Sequence, residues 1–326
     1  MAAHRNDDAA SLFARARAGD RVALPRLLSL VERGGDQARE VAGIAYRSPG
    51  QAYTVGITGA PGSGKSTLTD QLINQARKRG LDGSDRVAVL AIDPSSPFSG
   101  GAILGDRVRM QNHDALDDKV FIRSMATRGH LGGLAVAVPD ALRVLSAVGV
   151  PVVLVETVGV GQQEVAVAAA TDTTVVVVNP GWGDAIQANK AGLLEIADLF
   201  VINKADRPGA RETRRDLELM LELTQLGDWR PPIVETVATN GDGVDALWAT
   251  VEEHRAHLIE SGDLEASRRR RLDREFHQIL LARVGQELDA LLAEERFAGV
   301  VADLASGALD PYEAADRLLD GFLPDA

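Results

Sequence analysis

The chain has 326 residues, 45% hydrophobic and 25% charged, the make-up of a water-soluble globular protein with room for about two domain-sized units. Its 35 Lys and Arg against 47 Asp and Glu leave a formal charge of −12, which argues against a duplex nucleic-acid binder because phosphate contacts need a basic surface. Without cysteine there are no disulfides, thiolate metal sites or dithiol chemistry; no apolar run is long enough to span a membrane, and the start MAAHRNDDAA has no apolar core of a signal peptide, so a cytoplasmic location is expected.

In chain order, Asp8–Gly34 comes first. Leu12, Leu24, Leu27, Leu28 and Val31 recur there among Arg and Asp, predicting two short amphipathic helices broken at Gly19-Asp20. Gly34–Ser48 predicts a third helix, and Ser48-Pro49-Gly50 a turn. Residues 1–50 read as a helical extension to which the sequence assigns no chemistry.

Tyr53–Ile57 is apolar and β-branched and predicts a buried strand. It leads into Gly59-Ala60-Pro61-Gly62-Ser63-Gly64-Lys65-Ser66, which fits G-x-x-x-x-G-K-[ST] at each fixed position. Thr67–Gly80 predicts a helix with Leu68, Leu72, Ile73 and Ala76 on one face. Glycines let such a loop curl around a phosphate, and the loop N–H groups and helix N-terminus aim positive potential at it. Lys65 supplies a point charge for the β- and γ-phosphates, and Ser66 a hydroxyl for Mg²⁺. The bland alternative is a Gly-rich turn with a chance Lys-Ser. It has to explain both the strand before and the helix after, so Gly59–Thr67 implies a nucleoside triphosphate site.

From there strands and helices alternate. Val87–Ile92, Val120–Ile122, Val152–Glu156, Thr174–Asn179, Phe200–Asn203 and Ile233–Val237 predict strands; Leu134–Val148, Ala185–Ile196 and Arg211–Leu226 predict helices. Continuous apolar strands separated by helices imply an α/β fold, a mostly parallel sheet covered on both faces, over residues 51–255. Ligands of such sheets sit at the carboxyl ends of the strands, which singles out the residues found there. Asp93 ends one strand and Glu156 another, and Asp106 lies in the loop GGAILGDRVRM; all three are candidates for holding a metal. For Asp106 a capped loop is an equal alternative. Gln162 follows the Gly159–Gly161 turn, where it could orient an attacking water or simply cap the next helix. Arg109, Arg123 and Arg128 are candidates for a built-in catalytic arginine.

Asn203-Lys204-Ala205-Asp206 closes a strand with N-K-x-D. Asp206 at this place could accept hydrogen bonds from guanine N1–H and its 2-amino group, which adenine does not present, and a site built for such groups rejects an analogue lacking them. The Lys204 stem could lie along the base and Asn203 could brace the loop, while Val237-Ala238-Thr239 could bring a backbone N–H to the guanine carbonyl. The plain reading of N-K-x-D is a strand-end turn.

After about His254 the strands stop. Leu264–Glu295 predicts a long helix carrying Leu272, Phe276, Ile279, Leu280, Val284, Leu288 and Leu291, and Asp310–Leu323 one more. That stripe must be buried against its own domain or a second copy. The run Arg268–Arg271 reads as a solvated helix face rather than a phosphate site.

GITGAPGSGKST, AIDPSSPFSGGAILGDRVRM, IRSMATRGHLGGL, VETVGVGQQEVAVA, GDAIQANKAGLLEIADLFVINKAD and DPYEAADRLL together resemble the MeaB/ArgK family of GTPases, bacterial relatives of the methylmalonic aciduria type A protein. The resemblance implies a P-loop GTPase fold of the SIMIBI class with N- and C-terminal helical extensions, and homodimerisation through a C-terminal arm, residues 256–326. It implies GTP and GDP as ligands, Mg²⁺, and a chaperone role toward an adenosylcobalamin-dependent acyl-CoA mutase, chiefly methylmalonyl-CoA mutase, gating cofactor loading and protecting the enzyme. Carried over by motif, Lys65 and Ser66 serve phosphate and Mg²⁺, Asp93, Asp106 and Glu156 surround the metal, and Asn203, Lys204 and Asp206 read the base. A mobile loop falls on Gly183–Lys190, where Lys190 could stabilise γ-phosphate charge once a partner holds it. Asn179–Trp182, Ala188-Asn189 and Gln163 depart from the family's usual residues, which bears on the choice of mutase.

A metal-insertion GTPase is one alternative, but such proteins use Cys or His clusters; here His254 and His257 are expected to be solvated on a polar helix. A kinase, the older ArgK reading, is opposed by N-K-x-D. A nucleotide-dependent scaffold without turnover is the third.

Overall fold

The computed structural model describes residues 8–48, 50–80, 83–94, 119–127, 133–157, 163–181, 195–224, 227–292 and 298–320, with side chains at 93–94, 126–127, 133–136, 163–164, 290–291 and 319–320 excepted. The repeat of apolar residues near the start folds into α1 (Ala9–Arg17), α2 (Ala23–Arg33) and α3 (Gly35–Arg47). Asp8 caps α1, its carboxylate accepting the Ser11 N–H at 2.6 Å. These helices carry their apolar faces into a core shared with the sheet: Phe13, Leu27, Leu28 and Val41 pack in one cluster with Leu90, Val153 and Val155.

The alternating region forms β1 (Tyr53–Gly59), α4 (Lys65–Arg79), β2 (Val87–Pro94), β3 (Val120–Thr127), α5 (Gly133–Ala147), β4 (Val152–Thr157), α6 (Gln163–Ala170), β5 (Thr173–Val178), β6 (Leu199–Asn203), α7 (Ala210–Leu223), β7 (Ile233–Thr236) and α8 (Val244–Ser261). The seven strands make one sheet in the order β3-β2-β4-β1-β5-β6-β7, and every pairing is parallel. β3 runs past Ile122 to Thr127. Its polar Arg123-Ser124 gives no apolar signal, but backbone pairing to β2 continues to Pro94↔Thr127. The helix expected over Ala185–Ile196 falls largely outside the described residues.

Because side chains alternate across a strand, β2 and β4 feed two cores, while the apolar residues of β1 enter one of them. Val153 and Val155 face α2, α3, α5 and α6. Val55, Ile57, Val152 and Leu154 face the other way, onto Leu68, Leu72 and Ile73 of α4 and Leu247, Trp248 and Val251 of α8. A third cluster sets Val176, Val178, Phe200 and Ile202 against Leu217 and Leu221 of α7. With both faces covered, the sheet's carboxyl edge is where ligand chemistry can occur.

The opposite, amino edge of the sheet overturns two sequence expectations. Arg268 and Arg271, at the start of α9 (Asp263–Leu292), are not on a solvated face. Spaced i, i+3 on one side of the helix, both reach Asp172, whose side chain is 1% exposed. Arg268 donates to Asp172 from Nε (3.1 Å) and Nη2 (2.7 Å) and also to the Ala52 carbonyl (2.9 Å); Arg271 donates to Asp172 and to the Thr171 carbonyl. Asp172 also accepts the Thr54 N–H at 3.0 Å. His254 is likewise not solvated: it continues the stripe Val244, Leu247, Trp248, Val251 and is buried. Its Nδ1 lies 2.8 Å from the Thr173 hydroxyl, which also bonds Tyr53, and its Nε2 is 3.6 Å from Asp198. His257 stacks on Trp229 at 5.1 Å between ring centroids. Burial pushes His254 down to about 4 and Asp198 up to about 7.

The chain divides into two compact units, Met1–Arg271 and Leu272–Ala326. The second contains the rest of α9, then α10 (Ala298–Ser306), which the sequence reading did not anticipate, and α11 (Pro311–Asp320). On α9, Leu272, Phe276, Ile279, Leu280 and Val284 are exposed.

Candidate nucleotide site

The P-loop joins β1 to α4 at the carboxyl edge. Two of its glycines are required by close approach. At Gly59 (φ 132°) a Cβ would lie 2.1 Å from the Val177 carbonyl oxygen, and at Gly64 (φ 95°) it would lie 2.3 Å from Asn203 Nδ2. Pro61 and Gly62 form the exposed outer edge of the loop, and Ala60 is partly buried. Lys65 opens α4 but its side chain turns back under the loop, where Nζ donates to the carbonyls of Gly59 (2.8 Å) and Ala60 (2.9 Å). Two fixed carbonyls thus hold a buried ammonium at the centre of a Gly-rich loop, at a helix N-terminus, an arrangement suited to phosphate oxygens. Ser66, partly buried, and exposed Thr67 follow on the first turn of α4.

β4 lies beside β1 with Ile57 opposite Glu156. Glu156 therefore projects to the same side as Ile57, the side covered by α4. There its Oε1 accepts the Ser66 hydroxyl at 2.6 Å, and the residue is 2% exposed. A hydroxyl and a carboxylate at the mouth of a phosphate loop are hard oxygen donors, the set that Mg²⁺ takes. Ser66 and Glu156 fit such an ion.

β6 ends in Asn203, which is buried and bonds through both ends of its amide. Nδ2 donates to the Ser63 carbonyl (2.8 Å), and Oδ1 accepts from Thr236 Oγ1 (3.2 Å) and the Ala238 N–H (3.1 Å). Lys204 Nζ donates to the Gly62 carbonyl at 2.6 Å. Among the described residues Lys204 is the one non-glycine with positive φ, 59°. Such a conformation costs on the order of 1–3 kcal/mol and is held where surroundings determine it. Here it leaves Asp206 exposed beside the loop, with the turn closed by Arg207 N–H to the Lys204 carbonyl at 3.0 Å. Val237-Ala238-Thr239 packs next to it, tied by Ala205 N–H to the Thr236 carbonyl at 3.1 Å. Two segments 140 residues apart, the P-loop and the N-K-x-D turn, are thus bonded into one cradle.

Asp106, Gln162, Lys190 and the loop Gly183–Lys190 lie outside the described residues, as does the side chain of Asp93, whose backbone ends β2. Of the candidate arginines, Arg109 and Arg128 also fall outside. Arg123 is committed elsewhere: it donates to the Pro25 carbonyl (3.2 Å) and Ser29 Oγ (3.0 Å) and pairs with Glu32, tying β3 to α2. Sequence reasoning missed one contact here, the bond between the hydroxyls of Thr58 and Thr157, 3.0 Å apart. A polar residue just past each apolar run was its only sequence signal.

The model of the family described as methylmalonyl-CoA mutase-associated GTPase MeaB matches residues 24–292. A putative GTPase of Pyrococcus abyssi is 51% identical over 313 residues, 94% of this chain and 95% of that protein. A Mus musculus protein named methylmalonic aciduria type A homolog, mitochondrial, is 33% identical over 93% of this chain and 77% of its own length. Among solved structures, one of a LAO/AO transport system kinase superposes with a TM-score of 0.72 at 26% identity, covering 98% of this chain and 99% of that one. Cradle, sheet and matches agree: the chain has the P-loop GTPase fold and belongs to the MeaB family of GTPases.

Proposed function

We propose that this chain is a Mg²⁺-dependent, guanine-specific GTPase that serves as chaperone to an adenosylcobalamin-dependent acyl-CoA mutase, above all methylmalonyl-CoA mutase, gating its cofactor loading and protecting it. The observation that carries the nucleotide part is the bonding of Asn203 and Lys204 to the carbonyls of Ser63 and Gly62, which couples base reading to phosphate binding. The mutase part is supported by the family match and by the mouse relative's name.

In this reading Gly59–Thr67 wraps the phosphates and Lys65 meets the β- and γ-oxygens. Ser66 and Glu156, with Asp93 and Asp106, would hold Mg²⁺, and the ion would supply positive charge to offset that of the phosphates. Asp206 takes the guanine N1–H and 2-amino protons, Lys204 lies along the base, and Val237–Thr239 meets its carbonyl. Gln162 orients the attacking water. Lys190 stabilises charge on the γ-phosphate once the mutase holds it in place, a contribution that can reach several kcal/mol, roughly 3–4 for one well-placed donor. The organisation is a helical extension (1–50), a GTPase domain (51–255) and an arm (256–326) whose exposed stripe Leu272–Val284 supports homodimerisation. A cytoplasmic location fits; among the described residues no helix is long and apolar enough to cross a membrane.

Single-turnover GTP hydrolysis, with and without saturating mutase, tests the proposal. Stimulation of the wild type, lost in Lys190→Ala with intrinsic turnover kept, is expected. No stimulation by any cobalamin-dependent acyl-CoA mutase would remove the partner. The kinase reading, in the name of one structural relative, predicts instead a phosphorylated acceptor.

A further inference from the structure

The tip of β4 is fastened on both faces of the sheet, to α4 on one and to β1 on the other. Backbone pairing between the two strands ends at Ile57↔Glu156. On one side of that last rung Glu156 reaches Ser66 at 2.6 Å. On the other side the next residues of each strand, Thr58 and Thr157, meet hydroxyl to hydroxyl at 3.0 Å. Both threonines are 0% exposed, and Thr157 ends β4 one residue after Glu156. Two buried hydroxyls satisfy each other at a level where valines would pack as well, so the bond is not explained by burial alone. Its position explains it: it continues the β1–β4 register one residue past the backbone ladder, directly beside the carboxylate that grips Ser66.

We infer that Thr58 and Thr157 are a positioning pair that sets the Mg²⁺ affinity of the nucleotide complex by holding the Glu156 carboxylate on Ser66. The inference rests on the reading of Ser66 and Glu156 as metal residues. Neither threonine touches the ion; both act through Glu156, as partners outside the ligand shell orient ligands in other metal sites.

The test is calorimetric titration of Mg²⁺ into the GDP complex of the full-length chain, for the wild type, Thr157→Ser, Thr157→Val and the double variant Thr58→Val/Thr157→Val. Thr157→Val strands one buried hydroxyl and loses stability. The double variant removes both hydroxyls, so its melting temperature and its GDP affinity without Mg²⁺ stay near wild type. Its Mg²⁺ affinity is expected to fall roughly tenfold or more, the usual effect of losing an orienting partner. Thr157→Ser keeps the hydroxyl and is expected to bind Mg²⁺ like the wild type. Wild-type Mg²⁺ affinity in the double variant would overturn the inference and leave the metal reading intact. A wild-type GDP complex that takes up no Mg²⁺ would overturn the metal reading and the pair's role with it. If Thr157→Val does not fold, the double variant still decides the matter.

Discussion

Asp172→Asn probes the buried triad at the amino edge of the sheet. The carboxylate is 1% exposed and accepts from Arg268, Arg271 and the Thr54 N–H, while Arg268 and Arg271 are themselves 30% and 19% exposed. Asparagine keeps one acceptor but turns an NH₂ toward two guanidinium groups. Breaking a buried ion pair costs ~3–5 kcal/mol; because both arginines can still find water, a loss of about 2–3 kcal/mol is expected. At about 2–4 °C per kcal/mol, the melting temperature should fall by roughly 4–12 °C. Trp229 and Trp248 lie in the same unit and report its unfolding by fluorescence. The pH profile adds a second reading. Burial pushes the Asp172 carboxyl up, but hydrogen bonds from Arg268 and the charges of both arginines outweigh it and hold the group below its ordinary value of 3.8. A depressed carboxyl contributes stability that is present above that value and is lost as pH falls through the folded one. The gap between wild type and variant should therefore close below about pH 4. A variant within about 0.5 kcal/mol of wild type at neutral pH would place the triad among surface ion pairs and refute the reasoning.

Asp198 and His254 should oppose each other's pH dependence, Asp198 the more weakly because its side chain is still 35% exposed. Asp198, raised by burial to about 7, contributes stability that is lost as pH rises toward that value; His254, lowered by burial to about 4, binds fewer protons folded than unfolded, so its contribution grows as pH rises from about 4 to 6.5. Removing one side with Asp198→Asn should leave a melting temperature that climbs across this window; a profile parallel to wild type would contradict the assignment. Truncation after Arg271, which keeps Arg268 and Arg271 on Asp172, should give a folded monomer that still binds GTP. Truncation after Ser261 removes both arginines and should lower the melting temperature as well. A monomeric full-length chain in light scattering at micromolar concentration would reject the arm as a dimer interface.

The phosphate loop was legible because its information is local: strand, glycines, Lys65 and Ser66 are contiguous, and the helix period of Leu68, Leu72 and Ile73 follows at once. N-K-x-D was legible for the same reason. What stayed hidden depends on which strands become neighbours. Thr58 and Thr157 mean nothing until β4 lies beside β1, and Asp172 gives no sign of its two arginines, 96 and 99 residues away. Arg268–Arg271 read as a charged face because a run of like charge carries no mark of which members find a partner. His254 was misread for a different reason. Its helix looks polar by composition, yet the i, i+3, i+4 stripe ending at His254 was present in the sequence and decides its burial. Lys204's left-handed backbone has no sequence signature for a lysine at all.

Guanine reading by the cradle of the P-loop and the Asn203–Asp206 turn is the property on which the proposed activity depends. Calorimetry of GTP and ATP binding to the wild type and to Asp206→Ala measures it directly. The wild type is expected to bind GTP and to reject ATP by a factor on the order of 10⁴, the discrimination of a site whose own polar groups would go unpaired, and Asp206→Ala to lose most of that difference while keeping its fold. Equal affinity of the wild type for the two nucleotides would contradict the claim.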